Sequence, residues 1–117
     1  MEEKENLIQQ RSFNFSLTVI KLYKILILNK EFIISKQLLR SATSIGANIE
    51  EAIAGQSKKD FLHKMSIASK EARETRYWLK LLDRSQIVGY DYLKYLDEIE
   101  NIINILTKIV KTTAKII

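Results

Sequence analysis

A chain of 117 residues with no proline and only three glycines has few ways to reverse direction. Tight turns draw on those two residues, and sheet proteins need many such turns. Long helices joined by short loops are what remains. Hydrophobic residues make up 46% of the chain, enough to drive collapse and to exclude a disordered class. The length suits one domain spanning residues 1–117. The expected fold is therefore all-α, an up-down-up-down antiparallel four-helix bundle.

Apolar periodicity places the helices at about residues 6–28, 35–54, 57–84 and 91–115. In the first, Phe13, Leu17, Ile20, Tyr23 or Lys24, and Ile27 recur at helical spacing and mark the expected buried row. Ser35 is a candidate N-cap for the second, and Gly55 a candidate stop. Ser57-Lys-Lys-Asp60 resembles a capping box that opens the third. The connection between the second and third helices is short, which favours antiparallel neighbours.

The fourth helix is the most regular. Tyr92, Leu96, Ile99, Ile103, Leu106, Val110 and Ile117 alternate four and three apart, as in a heptad seam. Tyr95, Ile102, Ile109 and Ile116 form a second row beside it. A helix deep in a monomer core would explain both rows. The second row is also what a subunit interface would need, since large exposed apolar surface is costly, and Tyr95, Ile102, Ile109 and Ile116 are the expected oligomer contacts.

Little in the sequence suggests catalysis. Cysteine is absent, so thiolate chemistry and disulfides are excluded. His63 is the one histidine, and Asp60-x-x-His63 only shadows one copy of the Glu-x-x-His motif that di-iron bundles use in pairs; a charged pair on an exposed turn explains it. Gly46 and Gly55 are isolated, so no glycine-rich phosphate loop is present. The expectation is a non-enzyme with no metal and no cofactor. The N-terminus, Met1-Glu-Glu-Lys-Glu5, does not resemble a signal peptide. The apolar stretch from Phe13 to Leu28 carries Lys21 and Lys24 and is short for a membrane span. A cytoplasmic location without membrane contact is expected.

Two helix faces are more informative. At about 100° per residue, Gln37, Arg40, Ser44, Asn48 and Glu51 share a polar stripe beside the apolar face of the second helix. Arg40, Ser44, Asn48 and Glu51 are expected to form a structural hydrogen-bonding network. The third segment, Gln56 to Ser85, holds eight Lys or Arg against four acids. Lys59, Lys70, Arg73, Lys80 and Arg84 project close together with Tyr77 among them, and Arg76 flanks the group. A basic stripe containing an aromatic side chain suits a phosphate backbone, held without reading sequence. A solvated helix face or a site for an acidic protein surface would share that pattern.

Three segments carry a family resemblance. Ser35-Lys-Gln-Leu-Leu-Arg-Ser-Ala-Thr-Ser-Ile-Gly-Ala-Asn-Ile-Glu-Glu-Ala52, Gln56-Ser-Lys-Lys-Asp-Phe61 and Lys70-Glu-Ala-Arg-Glu-Thr-Arg-Tyr-Trp-Leu79 closely resemble the bacterial four helix bundle proteins, also called 23S rRNA intervening-sequence proteins. The family's Arg-containing segment and Ser-Ile-x-x-Asn-Ile run match Arg40, Ser44, Ile45, Asn48 and Ile49, and its following acid matches Glu51. Its usual glycine beside that acid is Ala52 here. The resemblance implies a toroidal homopentamer, and a related branch, the accessory variability proteins of diversity-generating retroelements, binds nucleic acid and a reverse transcriptase through basic surface. It therefore implies self-association, and together with the basic stripe it makes RNA or DNA the expected partner of the third helix. The alternative is a protein scaffold for a partner such as a reverse transcriptase.

Overall fold

The computed structural model describes residues 2–117. Four helices follow one another: α1 (Glu2–Leu28), α2 (Ile34–Ile53), α3 (Lys58–Ser85) and α4 (Leu93–Lys115). No strand occurs among the described residues. The bundle measures 46 × 20 × 20 Å, the proportions of helices lying side by side. Each helix packs against its neighbour in sequence, and α4 returns to pack against α1.

Cross-helix contacts fix the directions. Gln9 on α1 donates to Glu50, while Ser16, further along, reaches the carbonyl of Ala42. Thr75 donates to Ser41, and Lys64 pairs with Glu51. Arg76 pairs with Glu100, and Arg73 donates to Thr107. Numbers rise on one helix as they fall on the next, so neighbours run antiparallel. The α1–α2 and α3–α4 loops therefore share one end of the bundle.

The helix ends show which local signals decided. Ser57 caps α3 as the sequence predicts, with its Oγ accepting the Asp60 N–H at 3.1 Å. Ser35 does not cap α2, which starts one residue earlier. The Glu31 carboxylate takes that role, accepting the N–H groups of Ile33 and Ile34 at 3.0 Å and of Ser35 at 2.6 Å. Burial alone would raise the Glu31 pKa, but these backbone donors outweigh it and hold the carboxyl below its usual value. Gly55 adopts no left-handed conformation. The positive-φ positions are Lys30 and Gln86, at 63° and 49°. After α1, Lys30 N–H bonds to Ile27 and Glu31 N–H to Leu26, the pattern of a Schellman stop built without glycine.

The core corrects the expected row on α1. Its buried residues are Ile8, Ser12, Phe15, Val19, Leu22 and Leu26, a four-three alternation. Phe13, Leu17 and Ile20 stand on the opposite side and are exposed, Phe13 by 62%. At about 100° per residue the two rows lie about 150° apart, so one helix cannot bury both in its own bundle.

On α4 the correction runs the other way. Tyr95, Ile102 and Ile109 are buried within the single chain, as are Tyr92, Ile99, Ile103 and Leu106. The two α4 rows are about 80° apart and merge into one broad stripe that packs against both α3 and α1. Tyr95, Ile102 and Ile109 are thus core residues and not available to a sister subunit. Ile116 alone of that row is exposed, past the helix end. Burial, with the Tyr90 and Tyr92 phenols nearby, pushes the Tyr95 phenol up to about 12.

Candidate functional site

The polar stripe on α2 divides into separate contacts. Arg40 reaches across to α3, where Nη1 meets Glu71 at 3.3 Å and Nη2 pairs with Glu74. Its Nε donates to Gln37 at 3.2 Å, and Trp78 Nε1 donates to the same Glu74 carboxylate at 2.9 Å. Glu51 also ties α2 to α3, through Lys64 Nζ at 2.7 Å. Ser44 and Asn48 are too short to join either pair. The Asn48 amide donates instead to Ser44 O and Oγ, at 2.9 and 3.1 Å. The predicted single network of Arg40, Ser44, Asn48 and Glu51 is therefore three interhelical ion pairs, two at Arg40 and one at Glu51, with a local Asn48–Ser44 bond between those two anchors. A buried hydroxyl pair, Thr75 to Ser41 at 2.8 Å, lies beneath them and is a contact the sequence reading missed.

These contacts bear on the basic flank of α3. Arg40 holds Glu71 and Glu74 on the α2 side and offsets part of their charge there. The opposite flank, toward α4, carries Lys59, Lys70, Arg73, Tyr77, Lys80 and Arg84, all exposed. Lys59, Lys70, Lys80 and Arg84 make no ion pair among the described residues. Tyr77 is 56% exposed, with its ring edge-on to Trp78 at 5.1 Å, so one aromatic side chain stands among the cations.

Two arginines behave differently from the rest. Arg76 Nη1 holds both oxygens of Glu100, at 3.1 and 2.9 Å, so its charge is spent on α4. Arg73 Nη2 donates to Thr107 Oγ1 at 3.2 Å, an uncharged partner, and keeps its positive charge. These two contacts also set the α3–α4 register. Alongside the first half of α3 they bring the last turns of α4, where Lys108, Lys111 and Lys115 are exposed. Sequence reading helix by helix missed these lysines, because the charge density belongs to a face shared by two helices. Their segregation toward the end of α4 also suits the negative end of that helix.

Asp60 and His63 are exposed near the start of α3. No group of three or more His, Cys, Asp or Glu that could hold a metal occurs among the described residues. An open hollow of about 540 Å³ near the α2–α3 connection is lined by Ala52, Gly55, Phe61, Thr113 and Ile116 with Glu5 and Lys58 at its edges. Among the described residues, no helix is long and apolar enough to cross a membrane.

Fold and surface together define an antiparallel four-helix bundle with a cationic flank on α3 and the end of α4. Comparison with known proteins gives that class a family. The model of the 23S rRNA-intervening sequence protein family matches residues 4–108, and the chain belongs to that family. A crystal structure of a protein of unknown function from the S23 ribosomal protein family of Bacteroides thetaiotaomicron is 45% identical, with a TM-score of 0.87. The match covers 92% of this chain and 98% of that one. No curated protein is significantly similar to the chain.

Proposed function

We propose that this chain is a non-enzymatic, cytoplasmic, nucleic-acid-associated protein that holds RNA or DNA through the α3–α4 flank and assembles as a homopentamer. The observation that carries the nucleic-acid reading is the sorting of charge on α3. Its acids Glu71 and Glu74 are bound by Arg40 on the α2 side, which leaves Lys59, Lys70, Lys80 and Arg84 unpaired on the other. Arg73 and Tyr77 lie in the same strip, and Lys108 and Lys111 widen it. Spacing along a helix matches no base-edge code, so contacts of this kind hold phosphates and do not read sequence. Arg76, already paired with Glu100, drops out of the contact set.

Self-association is supported by α1. Phe13, Leu17 and Ile20 face away from the core, and a groove containing Ser12, Ser16, Gly46 and Ala47 runs beside Phe13. Small residues there let another helix approach closely. The subunit contact is thus assigned to α1, and the family resemblance supplies the number five. A closed ring would present the basic flank five times, so weak contacts would add through avidity.

The test is binding of a labelled single-stranded RNA by fluorescence anisotropy at rising salt. With about five phosphates engaged, affinity should fall on the order of 10²-fold between 50 and 200 mM salt. Replacing Lys59, Lys70, Lys80 and Arg84 with Glu should abolish retention at either concentration. Unchanged retention by that variant would remove this flank from the mechanism.

A further inference from the structure

The cationic flank changes along its length. Beside the second half of α3 stand Asp83, Asp97 and Glu100, the last held by Arg76. There α3 alone supplies the free cations of the flank, Lys80 and Arg84. Beside the first half, α4 contributes Lys108, Lys111 and Lys115, and from Asn101 to Ile117 the chain has no Asp or Glu. The Arg73–Thr107 bond sets these lysines next to Lys70 and Arg73. Asp60, Glu71 and Glu74 belong to the same half of α3 but lie on its α2 side, where Arg40 holds the last two. Two parallel rows of cations therefore run along one half of the flank and become a single row in the other.

Two rows on neighbouring helices have a definite scale. Packed helix axes lie about 8–10 Å apart. The grooves between the two phosphate backbones of a DNA duplex are of the same order, about 6 and 12 Å wide. Along the axis, the rise from Lys59 to Arg84 is about 38 Å, close to the roughly 34–36 Å of one duplex turn. The flank is also convex, since it runs along the outside of a bundle 20 Å across. Single-strand sites instead use a groove that tracks the backbone, with several aromatic side chains on which successive bases stack. Among the described residues this flank holds one exposed aromatic side chain, Tyr77, whose ring meets Trp78 edge-on at 5.1 Å. Trp78 itself turns to the α2 side, where its Nε1 donates to Glu74.

We infer that the α3–α4 flank takes a nucleic-acid duplex, held by its two phosphate backbones, in preference to a single strand. This rests on the nucleic-acid reading above and names the form of nucleic acid within it. A duplex stays nearly straight over one turn, because its persistence length is about 150 base pairs. It presents one charge per roughly 1.7 Å of axis, about twice the density of either strand alone. A fixed array of cations therefore meets a partner whose charges are already in line. A single strand has to be drawn out along the convex flank at a cost in entropy, and one tyrosine returns little of it through stacking. RNA and DNA duplexes share the two-backbone chemistry, and they differ in groove shape.

The experiment uses the full chain and one labelled sequence of about 20 nucleotides, two duplex turns. It is offered as single-stranded RNA, single-stranded DNA, an RNA duplex and a DNA duplex, with fluorescence anisotropy as the readout. At least one duplex should bind tenfold more tightly than either single strand, and the tighter of the two duplexes identifies the groove shape that fits. Lys108→Glu with Lys111→Glu removes charge from the α4 row without touching a core residue. It should weaken duplex binding at least tenfold and single-strand binding less than threefold. Tyr77→Ala should leave duplex binding within twofold. Single strands bound as tightly as both duplexes overturn the inference, and so does a tenfold loss of duplex binding in Tyr77→Ala. Either result leaves the basic flank standing as a single-strand site. Duplex binding that ignores Lys108→Glu with Lys111→Glu overturns the two-row arrangement. Failure of all four nucleic acids to bind removes the nucleic-acid reading itself, and this inference with it.

Discussion

Helices α1 and α4 each carry two apolar rows, yet they use them in opposite ways. On α4 the rows are about 80° apart, and the chain buries both in its own core. On α1 they are about 150° apart, so only the row from Ile8 to Leu26 is buried while Phe13, Leu17 and Ile20 face outward. The number of apolar rows does not indicate a second surface; the angle between them does. Adjacent rows make one broad stripe, suited to a helix wedged between two neighbours. Opposed rows leave one face for something outside the chain.

The most direct way to break this comparison is to truncate one residue from each helix. Ile102→Ala on α4 removes a fully buried side chain and should cost about 2–5 kcal/mol. Leu17→Ala on α1 should stay within about 0.5 kcal/mol, as for an exposed site. Urea unfolding at low protein concentration, where self-association contributes least, measures both. Equal costs would mean that the two rows are not used differently.

A second experiment sharpens what the outward row of α1 is for. Phe13→Glu with Leu17→Glu adds charge to that face and touches no core residue. Light scattering should then report single chains of 13.6 kDa, with helical content unchanged. A multimer that persists in this variant, with the fold intact, would show that subunits meet elsewhere.

The helices themselves were legible because their signals are local and repeated. The chain has no proline and three glycines, and the α4 seam recurs over six turns. What the sequence hid depended on partners from other segments. On α1 the outward Phe13-Leu17-Ile20 row looked like the core, since the true core row is interrupted by Ser12. The second α4 row resembles an interface when rows are only counted, and its angle of about 80° to the first is what makes it core. Arg40 was recognisable as an anchor on α2, but Glu71 and Glu74 became its partners only when α3 was laid against it. Periodicity within α3 carries no sign of the Arg76–Glu100 pair or of Lys108 and Lys111, because all three depend on how α4 lies against it. Ser35 lost its expected capping role to Glu31, whose longer side chain reaches back over the first turn of α2.

That last substitution of one cap for another marks where the outward-facing helix hands over to the core, and it yields the smallest effect. The folded-state pKa of Glu31 lies below its ordinary value of 4.5. A depressed carboxyl stabilises the fold at pH above its unfolded pKa and loses that contribution as pH falls through the folded pKa. At pH 7, Glu31→Gln should therefore cost about 1 kcal/mol, the typical worth of a helix cap, because an amide oxygen accepts these N–H groups less strongly. In acid, once the pH has fallen through that folded pKa and the wild-type carboxyl has lost its charge, the two proteins should melt at closely similar temperatures. Thermal melts by circular dichroism at both pH values decide it. A difference that stays the same size in acid would mean that the charge of Glu31 contributes nothing, and that the joint between α1 and α2 is held by shape and neutral hydrogen bonds alone.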